Sequence, residues 1–139
     1  MIFFGTIAIA VLIAFYAEKR DKKSGVFWVI VFLSLLCGLR DISVGTDTIH
    51  YRSYLSYISH GEPSFMKDEP LFWYLSKLIM SVLGNYQSVF VFFAFVINAL
   101  IISRLWSLRR YGSFSMMVFL YCCIFYAQSF NILRQYVAL

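Results

Sequence analysis

The chain is divided into long stretches without a charged side chain, and its charges are gathered into short clusters between them. Residues 2–17 carry none, Glu18-Lys19-Arg20-Asp21-Lys22-Lys23 carries six in succession, and residues 25–39 again carry none. Backbone N–H and C=O groups inside lipid must be satisfied within the segment itself, so such runs predict membrane helices. A typical hydrocarbon core of about 30 Å takes about 20 residues to cross. The first two runs fall short of that, a deficit that snorkelling Lys and Arg and local bilayer thinning absorb. Over the whole chain 14% of residues are charged and 61% apolar, against about 25% charged in an average soluble domain. Disorder, a collagen-like helix and a free-floating globular enzyme are excluded on that balance.

The net charge is +5, but Lys and Arg sit between apolar runs instead of along one face. No nucleic acid partner is expected, and the clusters are read as setting topology. The first cluster follows the first run, the reverse of a signal peptide, and no A-x-A cleavage site is visible. Residues 2–17 are therefore expected to be a retained helix with its N-terminus outside and its basic end in the cytoplasm, and residues 25–39 to return outward. Cys37, Cys122 and Cys123 lie inside apolar runs without disulfide or zinc-ligand spacing and read as packing.

Residues 40–68 form the first extramembrane segment with chemistry. Within them Tyr51, Tyr54, Leu55 and Ile58 recur at helical spacing, which predicts a short amphipathic helix from near Asp47 along the membrane surface. Glu69-Pro70 opens the next helix, since Pro at the first helical position loses only an orphan N–H. Residues 69–84 hold Lys77 at their centre, and a charge at mid-bilayer depth costs about 2.5 to 3.5 kcal/mol. This helix is expected to lie on or dip into the outer leaflet. Residues 85–103 then run inward, with Asn98 as an interhelical hydrogen-bonding residue, and bring Arg104, Arg109 and Arg110 to the cytoplasmic side.

A last helix over residues 113–129 is expected to deliver residues 130–139 to the same face as residues 40–68. The chain is thus expected to be all-α, a polytopic transmembrane helical bundle of about four spanning helices plus one interfacial or re-entrant helix, with residues 1–139 as a single membrane domain. Its final helical pattern is uncapped at Leu139, so the domain is expected to be the N-terminal part of a longer polytopic protein.

Two polar sets stand out on the expected outer face. Arg40-Asp41-x-x-x-Gly45-x-Asp47-x-x-x-Tyr51 marks the point where the chain leaves the membrane. Arg40 either snorkels beside Asp41 or faces a cavity, and Asp47 either caps the following helix or takes part in chemistry. Asn131-x-x-Arg134-Gln135-x-x-Ala138 puts Asn131, Arg134 and Gln135 at i, i+3 and i+4, on one helix face. Ionisable groups near membrane helices are expensive unless they meet a cavity or a partner. Arg134 either joins Asp47 or Glu69 in holding the bundle or binds a ligand. Two arginines aimed at one cavity suit a phosphate or diphosphate, because each guanidinium stays charged and offers a planar fork of donors. No nucleophile elbow, Walker loop, HExxH or Cys-His pair is present, so neither a metal nor a cofactor is expected.

The order Arg40-Asp41, Gly45-x-Asp47, Tyr51, Glu69-Pro70 and Asn131-x-x-Arg134-Gln135-x-x-Ala138 resembles the EpsG family of exopolysaccharide polymerases, relatives of the Wzy O-antigen polymerases. The resemblance runs from about Leu39 to Leu139. It implies a multi-pass protein of the bacterial inner or plasma membrane that joins oligosaccharide repeat units carried on undecaprenyl diphosphate, alongside other polysaccharide-assembly proteins. It further implies that Arg40 and Arg134 bind the diphosphate and that Asp47 or Glu69 orients the acceptor or serves as base. Tyr51, Asn131 and Gln135 complete the substrate contacts. Such enzymes are much longer than 139 residues, and the chain alone is expected to be inactive. Two other readings stay open: a multi-pass glycosyltransferase using polyprenyl-phosphate sugars with an acidic base such as Asp41 or Asp47, and a non-catalytic piece of a lipid-linked oligosaccharide transporter.

Overall fold

The computed structural model describes residues 2–39, 53, 55–57 and 70–126, with the backbone alone at 2 and 3. Five α-helices organise these residues: α1 (Ile2–Arg20), α2 (Lys23–Gly38), α3 (Pro70–Leu83), α4 (Tyr86–Ser107) and α5 (Phe114–Tyr121). A 3-10 turn, Leu108–Arg110, extends α4, and a π-helical segment, Cys122–Tyr126, continues α5. No strand occurs among the described residues. The all-α expectation holds.

The first helix runs past its apolar stretch because Glu18, Lys19 and Arg20 are good helix formers, and the last two also complement the negative end of the helix dipole. Asp21 then takes a left-handed conformation, φ 47°. Its N–H reaches the Glu18 carbonyl, and the Lys22 N–H reaches the Ala17 carbonyl, both at 3.2 Å. That pair of bonds is the Schellman pattern of helix termination, here with Asp in place of the usual Gly. The reversal is tight enough that a Cβ on Gly25 would lie 2.4 Å from the Ala17 Cβ.

Pro70 starts α3, as its missing N–H dictates. Gly84 ends it with φ 66°, and its N–H bonds the Met80 carbonyl at 2.9 Å. Asn85 then caps α4 by accepting the Gln87 N–H at 3.0 Å. The 22 residues of α4 rise about 33 Å, enough to match a hydrocarbon core. With its 3-10 extension, Tyr86–Arg110 is the one described helix long and apolar enough to cross a membrane; Lys23–Gly38, Pro70–Leu83 and Phe114–Tyr126 are apolar but shorter.

Helix α4 is the hub, packing against α2, α3 and α5, while α1 packs against α2 and α5. The α2–α4 pair is antiparallel. Gly38, at the end of α2, meets Val91 near the start of α4, and a Cβ there would fall 2.5 Å from the Val91 Cα. At the opposite end Arg109 pairs with Asp21 at 3.1 Å. The Arg cluster and the first charged loop therefore share one end of the bundle, as the charge pattern predicts. Helix α3 reaches only part of the way along α4: its Phe72, Trp73 and Ile79 pack on Val89, Phe90, Phe93 and Ile97, and Phe72 stacks on Phe93 at 4.9 Å. Lys77 points away from α4, exposed, with its ammonium 4.7 Å over the Trp73 ring. Of the expected surface helix, Ser53 and residues 55–57 are described and helical, and Leu55 is buried in the α3–α4 cluster.

Candidate functional site

All seven residues singled out in the sequence, Arg40, Asp47, Tyr51, Glu69, Asn131, Arg134 and Gln135, lie outside the described residues. What the fold fixes is the frame to which they attach. Leu39, immediately before Arg40, lies with Leu83, Asn85, Gln87 and Val91 around a groove of about 540 Å³ at the Asn85 end of the bundle. Helix α5 starts at the other end, where Phe114 sits edge-on to Trp106 at 5.1 Å. It runs toward the Asn85 end, bringing the Tyr126 hydroxyl to the Leu33 carbonyl at 2.7 Å. Leu33 is five residues from Gly38, about 8 Å along α2. The two described segments that precede the polar sets are thus both directed at the end opposite the basic loop.

Between those ends runs a polar seam inside the apolar core. Asn98, 2% exposed, donates to the Ala94 carbonyl at 2.8 Å and accepts from the Tyr121 hydroxyl at 3.1 Å. Ser34 donates to the Ile30 carbonyl at 2.6 Å and lies 3.4 Å from the Ala94 carbonyl across the α2–α4 contact. The π segment explains how α5 serves this seam twice. In an ordinary helix residues five apart point about 140° from each other, whereas i→i+5 winding brings them toward one face. Tyr121 and Tyr126 are accordingly both buried and both hydrogen-bonded to neighbouring helices. Asn98 has the interhelical role its lone polarity predicts. Among the described residues, three further buried polar atoms have no hydrogen-bond partner: Trp73 Nε1 and Ser76 Oγ of α3 and Trp106 Nε1 of α4.

At the basic end the carboxylates are committed to the bundle. Glu18 accepts from the Ser113 hydroxyl at 2.9 Å, the Phe114 N–H at 3.0 Å, and the Ser115 N–H and hydroxyl at 3.1 and 2.9 Å. It thereby satisfies the open N–H groups and positive dipole end of α5 from 95 residues away. Partial burial pushes the Glu18 carboxyl up, but the hydrogen bonds from Ser115, Ser113 and Phe114 outweigh it and hold the group below its ordinary value. A depressed carboxyl contributes stability above its unfolded pKa and loses that contribution as pH falls through the folded value. Glu18→Ala is expected to cost about 1 to 2 kcal/mol, the loss of a helix cap, and wild-type and variant melting curves should converge in acid. A pH series of thermal midpoints checks this. A constant gap down to pH 3 would show that Glu18 acts through packing alone.

Asp21 takes Arg109, whose guanidinium also lies 4.1 Å over the Trp106 ring. Lys19, Arg20, Lys22, Lys23, Arg104 and Arg110 then remain at this end with both described acids, Glu18 and Asp21, engaged. Sequence reasoning missed the Glu18 cap. Its one signal is Ser113-Phe114-Ser115 opening a helix whose own side chains leave the backbone N–H groups uncapped. Cys37 and Cys122 are buried in the core and Cys123 is exposed. Among the described residues no three His, Cys, Asp or Glu side chains are grouped to hold a metal.

No curated protein and no solved structure matches the chain. Residues 23–139, from the first residue of α2 onward, match the EpsG family. The matched span takes in α2 to α5 and both polar sets, so the chain belongs to the EpsG family.

Proposed function

We propose that this chain forms part of a membrane polysaccharide polymerase that extends a glycan carried on undecaprenyl diphosphate. Family membership supports a polysaccharide-polymerase-type membrane protein. The observation that carries the finer reading is directional: α2 before Arg40 and α5 before Asn131 point to the same end of the bundle, away from the basic loop. The partial reach of α3 along α4 supports a re-entrant helix entering from that end, with α1, α2, α4 and α5 as the spans and the basic loop cytoplasmic.

In the proposed reaction an acceptor sugar hydroxyl attacks the anomeric carbon of the growing glycan. The bond from that carbon to the diphosphate oxygen breaks, and undecaprenyl diphosphate leaves with the bonding electrons. The hydroxyl proton passes to a carboxylate, Asp47 or Glu69. Arg40 and Arg134 stabilise the charge that accumulates on the diphosphate, where preorganised donors act most strongly. Tyr51, Asn131 and Gln135 orient the sugars.

The test is the full-length protein in vesicles with a lipid-linked repeat unit as sole substrate. A ladder of lengthening glycans with release of undecaprenyl diphosphate is expected, unaffected by a chelator. Transfer of one sugar from a polyprenyl monophosphate, dependent on a divalent cation, would instead favour the multi-pass glycosyltransferase reading.

A further inference from the structure

A cleft of about 580 Å³ runs between α1 and α2, and none of its lining residues comes from α3, α4 or α5. Arg20 and Lys22 stand at its mouth. Tyr16 and Trp28 line it about one turn further from the α1–α2 reversal, and Val31 and Leu35 line it further along α2. From Ser24 to Leu35 the lined stretch of α2 rises about 16 Å, half of a hydrocarbon core of about 30 Å. The cleft therefore has the depth of one leaflet, with cations at its polar end, amphipathic rings next and aliphatic side chains inside.

The cations are available. Asp21 is taken by Arg109 and Glu18 by the start of α5. Among the described residues neither Arg20 nor Lys22 has a carboxylate within ion-pair distance. The Arg20 guanidinium is held 4.6 Å over the Tyr16 ring, at the cleft wall. A guanidinium and an ammonium lining one cleft suit a phosphodiester. Tyr and Trp at headgroup depth suit the glycerol region.

We propose that this cleft holds one anionic phospholipid of the leaflet at the basic end, its phosphate on Arg20 and Lys22 and an acyl chain along Val31 and Leu35. The site lies at the opposite end of the bundle from the segments leading to the proposed diphosphate residues. It rests on the membrane reading of the chain and is independent of the polymerase reading.

Native mass spectrometry of the full chain, released from detergent with phosphatidylglycerol or with phosphatidylcholine of the same acyl chains, tests it. Wild type is expected to retain one phosphatidylglycerol in preference to phosphatidylcholine. Arg20→Gln with Lys22→Gln is expected to weaken that retention on the order of tenfold. Lys22→Gln alone, which leaves α1 intact, is expected to lose part of it. Lys19→Gln with Lys23→Gln removes equal charge from residues that do not line the cleft and is expected to leave retention unchanged.

Equal losses in the two double variants would overturn the site in favour of diffuse attraction. So would equal retention of the two lipids, displacement by millimolar inorganic phosphate, or no retained lipid in any variant, the result expected if another protein segment fills the cleft. Polymer formation by the same variants in the full-length protein is expected to persist, which separates failure here from failure of the polymerase reading.

Discussion

Gly38→Val is expected to break the α2–α4 interface. A Cβ at this position would stand 2.5 Å from the Val91 Cα and 2.9 Å from its nitrogen. Those are backbone atoms on the hub helix and cannot swing aside as a side-chain tip can. Overpacking in a well-packed core costs about 1 to 3 kcal/mol and at times more, and a clash between two helix backbones belongs at the top of that range. The contact also lies one turn from the approach of the Ser34 hydroxyl to the Ala94 carbonyl, so separating the helices would lose that link as well. The expected result is a fall of at least tenfold in monodisperse protein recovered in detergent, with loss of a cooperative thermal transition. Gly5→Val is the control, because among the described residues nothing lies within 4 Å of a Cβ at Gly5. A Gly38→Val protein that melts like wild type would refute the close approach of α2 and α4.

Arg134→Ala, made in the full-length protein, is expected to lower polymer formation by about two to three orders of magnitude, the usual effect of removing a preorganised donor from a developing oxyanion. Arg134→Lys should recover only part, since an ammonium keeps the charge but not the planar fork that grips two phosphate oxygens. Binding of the lipid-linked substrate should fall less than turnover, because the charge on the diphosphate grows as the glycosidic bond opens. Near-normal activity in Arg134→Ala, with Asp47→Asn inactive and a divalent cation required, would transfer the chemistry to the acidic loop and support the rival enzyme class.

Helices whose ends are marked by local chemistry were legible in the sequence. Pro70, Gly84 and Asn85 start, stop and cap α3 and α4 within one residue of the expected positions. The charged cluster marks the α1–α2 reversal because it ends an apolar run, although the helix itself persists through Arg20. The π winding at Cys122–Tyr126 was not legible. It satisfies Tyr121 and Tyr126 through Asn98 and Leu33, on two other helices, and no property of Cys-Cys-Ile-Phe-Tyr alone demands it. The Glu18 cap was hidden for the same reason. Of the proposed catalytic set, the sequence supplies residue identity and helical spacing, and the structure adds the direction of the segments that lead to Arg40 and Asn131.

The bond between Glu18 and the start of α5 also orders events in time. Helices α1 and α2 are complete well before α5 is made. The groups that bind the Glu18 carboxylate, Ser113 to Ser115, are synthesised some 95 residues after it, an interval of roughly 5 to 20 s at ordinary elongation rates. During that interval the Glu18 carboxylate lacks the donors of Ser113 to Ser115 that hold it in the finished fold. The contact that ties α1 to α5 therefore forms only after α5 has been made, well after α1 itself.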